Sequence, residues 1–214
     1  ADATLTVTNG GGFQASFMNG TGLSAPFSFK GGAYPGSGGT CSATLAAGTS
    51  CTVIITYAPS AAGTQNSTLK INYSDGATSQ TASRAVQGNA VTAANLSISD
   101  GATYDFGTHP TGSSTDKTLT VSNTGGTPAS AVSGGGLSSP FSYKGGAYPG
   151  TGGNCGATIA AAGTCTVVIN FAPSAIGTST SSVDLNYNNG LGAVTSSRPV
   201  HAIAVTPASL TISD

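Results

Sequence analysis

FSFKGGAYPGSGGTC at residues 27–41 returns as FSYKGGAYPGTGGNC at residues 141–155, an offset of 114 positions (155 − 41). The same offset carries Cys51 onto Cys165, Arg84 onto Arg198, and LSISD at 96–100 onto LTISD at 210–214. Residues 1–100 align with 115–214 without a gap, and about 57 of those 100 positions are identical. Self-similarity of that extent is a tandem duplication, so one folding problem is solved twice along the chain.

The duplication is out of phase with the sequence. Residues 101–114 (GATYDFGTHPTGSS) have no counterpart ahead of Ala1, whereas SLTISD at 209–214 repeats the NLSISD that opens the second copy. This phasing predicts a first copy over 1–92 that lacks its opening strand, a second over 93–206, and an opening strand of a further repeat over 207–214. Two arrangements satisfy it. The sequence is a window on a longer array, or Ser209, Leu210, Thr211, Ile212 and Ser213 add as a strand to the first copy of a neighbouring chain. A sandwich short of a strand leaves N–H and C=O groups unpaired along an apolar cleft, and that cost predicts that the strand is supplied.

Composition narrows the function classes. The 214 residues contain 6 Lys plus Arg and 7 acids, all of them Asp, beside 29 Ser, 31 Thr and 32 Gly. A net charge of −1 gives no electrostatic footprint for nucleic acid, and so few ionisable groups leave acid–base catalysis little to draw on. At 38% hydrophobic, the chain has enough apolar surface to fold. No run of 18 apolar residues occurs, so no membrane insertion by a helix is expected. There is no initiator Met and no export-signal pattern, which predicts a mature or excised stretch.

Period-two alternation dominates. It is clear at Leu5 and Val7, at Cys51, Val53, Ile55 and Tyr57, and at Leu69, Ile71 and Tyr73, and the second copy repeats it. Asn9-Gly10, Asp75-Gly76, Asn189-Gly190 and the Gly-rich Tyr34-Pro35-Gly36 stretch punctuate these runs as turns. No helical period is present. A 114-residue unit with about seven strands predicts an all-β chain of two tandem immunoglobulin-like β-sandwiches, joined near residues 89–94.

The run PFSYKGGAYPGTGGNC at 140–155 followed by GTCTVVINFAPS at 163–174 resembles the bacterial surface repeats called choice-of-anchor D domains. These sit within the wider ASPM/SPD-2/Hydin and major-sperm-protein-like group of immunoglobulin folds. The resemblance covers both copies nearly end to end. It implies an extracellular, non-catalytic module of long surface proteins or adhesins, with no catalytic residues to transfer. The first copy departs from it by its truncation and by Tyr57 where the second has Phe171.

Several residues invite chemistry. Cys41 and Cys51, and Cys155 and Cys165, form two pairs with no C-x₂₋₄-C hairpin and no matched His, so the spacing predicts one disulfide per copy rather than a metal site. Disulfides in turn point to an oxidising compartment. Lys30 and Lys144 recur at matched positions, as do Asp2/Asp116, Asn9/Asn123 and Asn72/Asn186. An isopeptide bond from a buried lysine to an asparagine is one reading, and a salt bridge or a lysine covering aromatic surface is the other. Tyr34, Pro35, Tyr148 and Pro149 form either an exposed platform for sugars or a turn scaffold. Asp100 and Asp105 are too few for a calcium shell, and His109 and His201 belong to no triad pattern. Four glycosylation sequons, at Asn19, Asn66, Asn72 and Asn95, fall within chance for a chain so rich in Ser and Thr.

The expectation is therefore a structural repeat of a bacterial surface fibre or filament, with no cofactor and no catalytic residues. Its partners are copies of itself or adjacent repeats. The alternatives are an adhesin module that binds a host or prey surface glycan, and an accessory domain of a secreted hydrolase.

Overall fold

In the computed structural model, which describes residues 1–214, the alternating runs become strands and the Gly/Asn/Asp positions become turns. The chain divides into two compact units, Ala1–Val91 and Thr92–Asp214. The first contains β1 (Asp2–Thr8), β2 (Ser16–Thr21), β3 (Phe27–Phe29), β4 (Ser50–Tyr57), β5 (Gly63–Ser74) and β6 (Ser79–Ala90). These form two three-stranded sheets ordered β1-β4-β3 and β2-β5-β6.

The second unit opens with β7 (Leu96–Ile98) and β8 (Tyr104–Pro110). It continues through β9 (Thr115–Asn123), β10 (Ala129–Gly135), β11 (Phe141–Tyr143) and β12 (Thr158–Ile159) to β13 (Thr164–Phe171), β14 (Gly177–Asn188) and β15 (Ala193–Val205). Its sheets are ordered β11-β13-β9-β7 and β12-β10-β14-β15-β8. The all-β class and the tandem immunoglobulin-like sandwiches are thus what the chain adopts. The second unit has nine strands rather than about seven, because β11 and β12 are edge pieces of three and two residues.

The period of two decides what is buried. On β4, Cys51, Val53 and Ile55 point inward, and on β13 Val167, Ile169 and Phe171 do the same. The disulfides tie the loop after the Tyr-Pro-Gly turn to the start of these central strands. Cys41 bonds Cys51 with Cα atoms 4.8 Å apart, and Cys155 bonds Cys165 at 4.9 Å. On the chain-entropy model each such link stabilises by about 3 kcal/mol.

The β5–β6 hairpin is closed by a carboxylate. Asp75 Oδ1 accepts the backbone N–H groups of Thr78 (2.7 Å) and Ala77 (2.8 Å), and Oδ2 accepts from Gln80. In the second unit Asn189 Oδ1 takes the corresponding N–H groups of Leu191 and Gly192. The two Thr78 and Ala77 bonds, with Gln80, hold the Asp75 carboxyl down at about 2 from its ordinary 3.8. A depressed carboxyl stabilises the fold above its unfolded value and loses that contribution as pH falls through the folded one. First-unit stability should therefore drop between about pH 4 and about pH 2. Asp75→Asn, which keeps the Oδ1 acceptor, should remove Asp75's share of that loss. Hydrogen exchange of β5 and β6 amides against pH measures it, and an unchanged profile would contradict the assignment.

Candidate functional site

The second unit shows what an opening segment does. β7 lies antiparallel on the free edge of β9, with Leu96 opposite Asn123 and Ile98 opposite Val121. The chain then crosses to the other sheet, where β8 runs parallel to β15, Tyr104 facing Val200 and His109 facing Ala204. Ala94, Leu96, Ile98 and Phe106 are thereby buried in one core with Leu119, Val121, Phe171 and Val200.

Polar contacts fix the register. Asn123, only 2% exposed, donates through Nδ2 to the carbonyls of Thr127, Ile159 and Ala160. Its Oδ1 accepts from the N–H of Asn95 (3.1 Å) and of Gly125 (3.0 Å). The N–H of Leu96 donates to the Tyr187 hydroxyl at 3.0 Å, and the Leu96 carbonyl accepts from Ser196 Oγ at 2.7 Å. Arg198 donates to the carbonyl of Ile98. Gly125 passes so close beneath the segment that a Cβ there would lie 2.1 Å from the Ala93 carbonyl oxygen.

The first unit carries the same surfaces with nothing on them. β1 pairs only with β4 and β6 only with β5, so both lateral edges are open. Between them lie two chambers. One, of about 540 Å³, is lined by Val7, Asn9, Phe13, Met18, Ile71 and Tyr73, and corresponds to the seat of Ala94 and Leu96. The other, of about 380 Å³, is lined by Leu5, Phe27, Ile55, Tyr57, Arg84 and Val86, and corresponds to the seat of Phe106. Burial records the missing cover. Leu5, Val7, Tyr57 and Val86 are half-buried, whereas their counterparts Leu119, Val121, Phe171 and Val200 are at most 1% exposed. The connected core shrinks from 21 buried residues to 10 accordingly.

Asn9 repeats the work of Asn123 in part. Nδ2 donates to the carbonyls of Phe13 (2.8 Å) and Leu45 (2.9 Å), and Oδ1 accepts from Gly11 alone, at 3.1 Å. The Tyr73 hydroxyl and the Arg84 guanidinium line the chambers with no partner. One bond has no counterpart, because Ala82 stands where Ser196 does. Above Gly11 no such backbone lies: a Cβ there would meet Asn9 Oδ1 at 3.3 Å and the Phe13 nitrogen at 4.0 Å.

The segment at residues 207–214 has the sequence of the missing piece and is unpaired. Leu210 is 95% and Ile212 101% exposed, and no strand forms over these residues.

The other candidate residues settle elsewhere. Lys30 pairs with Asp2 at 2.9 Å and Lys144 with Asp116 at 2.7 Å, each roughly half-exposed. Lys30 and Lys144 thus sit in the salt bridge that was the alternative to an isopeptide bond, each facing a solvated aspartate rather than an asparagine. Such pairs contribute little to stability. Asp100 pairs with Lys117 at 3.1 Å, and Asp105 lies 3.0 Å from His201 Nδ1, so each carboxylate already has a side-chain partner. No three His, Cys, Asp or Glu side chains are grouped so that they could hold a metal ion.

The Tyr34 ring packs edge-on against Phe29 and the Tyr148 ring against Tyr143, each with centroids 5.8 Å apart. Burial raises both phenols. The loops fold back onto β4 and β13, where the Pro35 and Pro149 carbonyls accept the N–H groups of Ile54 and Val168. At Gly36, φ is +92° and a Cβ would stand 2.1 Å from the Ile54 carbonyl oxygen, so only glycine fits that approach. This geometry is that of a turn scaffold.

Residues 95–198 match the family model described as HYDIN/CFA65/VesB-like, Ig-like domain. Among solved structures, the chain is similar to the ASH/PapD-like domain 7 of human CEP192, at 17% identity over 54% of this chain and 89% of that one, with a TM-score of 0.41. It is similar to a protein of unknown function from Porphyromonas gingivalis W83, at 13% identity, 95% and 91% coverage, and a TM-score of 0.42. It is also similar to the Vibrio cholerae VesB protease, at 15% identity, 50% and 31% coverage, and a TM-score of 0.42. No curated protein matches the sequence.

Proposed function

Because residues 95–198 are an immunoglobulin-like domain of the HYDIN/CFA65/VesB-like kind, we propose that the chain is a non-catalytic structural repeat of an extracellular bacterial surface fibre or filament. In this reading the copies join head to tail, with residues 207–214 of one filling the open edge of the next copy's first unit. The observation that carries it is the correspondence of groove and tail. Asn9, Tyr73 and Arg84 stand where Asn123, Tyr187 and Arg198 hold residues 95–98, and residues 207–214 repeat residues 93–100 with Leu210 and Ile212 in place of Leu96 and Ile98. Burying those two side chains contributes about 3–6 kcal/mol, and pairing the β1 edge removes a row of unsatisfied backbone groups.

Two further properties support the reading. The disulfides suit an oxidising compartment outside the cytoplasm. The open edges are almost free of the lysines that usually block edge-to-edge pairing, since β1 and β6 hold one Asp and one Arg between them. Multi-angle light scattering and negative-stain images of the 214-residue chain test it. Mass should climb with concentration in steps of one chain, giving linear oligomers. A monomer at all concentrations, with β1 and β6 amides fully protected from exchange, would overturn it.

A further inference from the structure

The two chambers of the first unit are not filled by the same part of an opening segment, and residues 207–214 reach only one of them. They align with 93–100, which in the second unit supply Ala94, Leu96 and Ile98. Phe106 comes ten residues after Leu96, beyond the crossover, on a strand parallel to β15. We infer that the segment recognised by the first unit is bipartite: a Leu-x-Ile strand on β1, then a phenylalanine eight residues past the isoleucine, on a strand parallel to β6, seated against Phe27 and Tyr57. This rests on the strand-accepting reading above and adds to it the chemistry of the second contact.

The seat is already built. In the second unit Phe141 and Phe171 lie 4.9 Å apart at 33°, and Phe106 packs on both, at 5.6 and 5.7 Å. In the first unit Phe27 and Tyr57 lie 4.8 Å apart at 31°, the same two-ring floor with the third ring missing. Three of the differences between the units meet here and agree with one another. Tyr57 replaces Phe171, and its hydroxyl donates to Gln65 Oε1, where the second unit has Ser179. Gly88 replaces Ala202, and a Cβ at Gly88 would lie 2.4 Å from the Tyr57 ring. The Tyr57 ring is thus fixed by its hydroxyl bond and by the glycine against it, and buried Phe27 with half-buried Tyr57 faces the chamber. Val91, 57% exposed at the end of the β6 edge, stands where Val205 pairs with Pro110 of β8. A parallel strand on β6 would cover it.

The test uses the full chain with Leu210→Asp and Ile212→Asp, so that its own tail does not compete, and three fluorescent peptides. One has the sequence of residues 93–110, the second is the same with Phe106→Ala, and the third spans 93–100. Fluorescence anisotropy should show the long peptide binding at least about tenfold tighter than either of the others. Equal affinity of the long peptide and its Phe106→Ala form would overturn the bipartite donor while leaving strand acceptance standing. Failure of every peptide to bind, or binding that survives Gly11→Val in the acceptor, would overturn strand acceptance itself.

Discussion

A chain carrying Leu210→Asp and Ile212→Asp is expected to be monomeric at concentrations where the unaltered chain assembles, with both units folded as before. Leu210 and Ile212 contact nothing within their own chain, so the folded units lose nothing by the exchange. In the assembled state they would occupy the chamber of Val7, Met18, Ile71 and Tyr73 and the stretch of β1 beside it. Losing two buried aliphatic side chains there weakens association by roughly 10²–10⁴-fold, before any cost of placing carboxylates in an apolar site. The acceptor side gives the complementary variant. Gly125 already lies so close to Ala93 that a Cβ would collide with its carbonyl, while a Cβ at Gly11 meets no backbone closer than 4.0 Å and asks only a small shift of the Asn9 side chain, 3.3 Å away. Gly11→Val should therefore leave the free first unit intact and exclude the incoming strand. Mixed together, the donor-dead and acceptor-dead chains retain one working interface between them, and light scattering should show a one-to-one dimer that neither forms alone. If the mixture stays monomeric while the unaltered chain assembles, assembly runs through some other surface.

The features behind that expectation were legible in the sequence to different degrees. Leu5/Val7 and Val53/Ile55 announce their strands because large apolar residues alternate with threonine, and the out-of-phase duplication makes a missing strand countable from the letters alone. β6 and β15 are harder to see. Ser79–Ala90 alternates among small and polar residues, and its inward positions are Val86, Gly88 and Ala90, so the period-two signal is nearly flat where the open edge lies. Asn9 read as a turn residue beside Gly10, and as one of several matched asparagines. Its actual work, tying the Gly11–Phe13 turn to the backbone of Leu45, depends on a partner 36 residues away that no local pattern exposes. Phe106 lay in the one stretch without a counterpart in the first copy, so comparing the copies gave it no partner. Only the ring geometry of Phe141 and Phe171 shows what it fills.

Asn123→Ala is expected to cost the second unit about 3–5 kcal/mol, several times what Asn9→Ala costs the first. The side chain of Asn123 satisfies five backbone groups. The carbonyls of Thr127, Ile159 and Ala160 receive its amide hydrogens, and the N–H groups of Asn95 and Gly125 donate to its oxygen. Truncation orphans them where β7 excludes water, and an unsatisfied buried group costs about 1–3 kcal/mol. At Asn9 only Phe13, Leu45 and Gly11 are served, beside an open chamber where water can replace the lost partner. The expected cost there is about 1 kcal/mol. Hydrogen exchange resolves the opening free energy of each unit separately, through amides of β4 and β13. The asymmetry carries its own check, because it should vanish when a strand docks. With the peptide of residues 93–110 bound at saturation, Oδ1 of Asn9 gains a second donor and solvent leaves. Asn9→Ala should then approach the cost of Asn123→Ala. Equal costs in the free chain, or an Asn9 cost that ignores the peptide, would mean that the first unit is already closed without a donated strand.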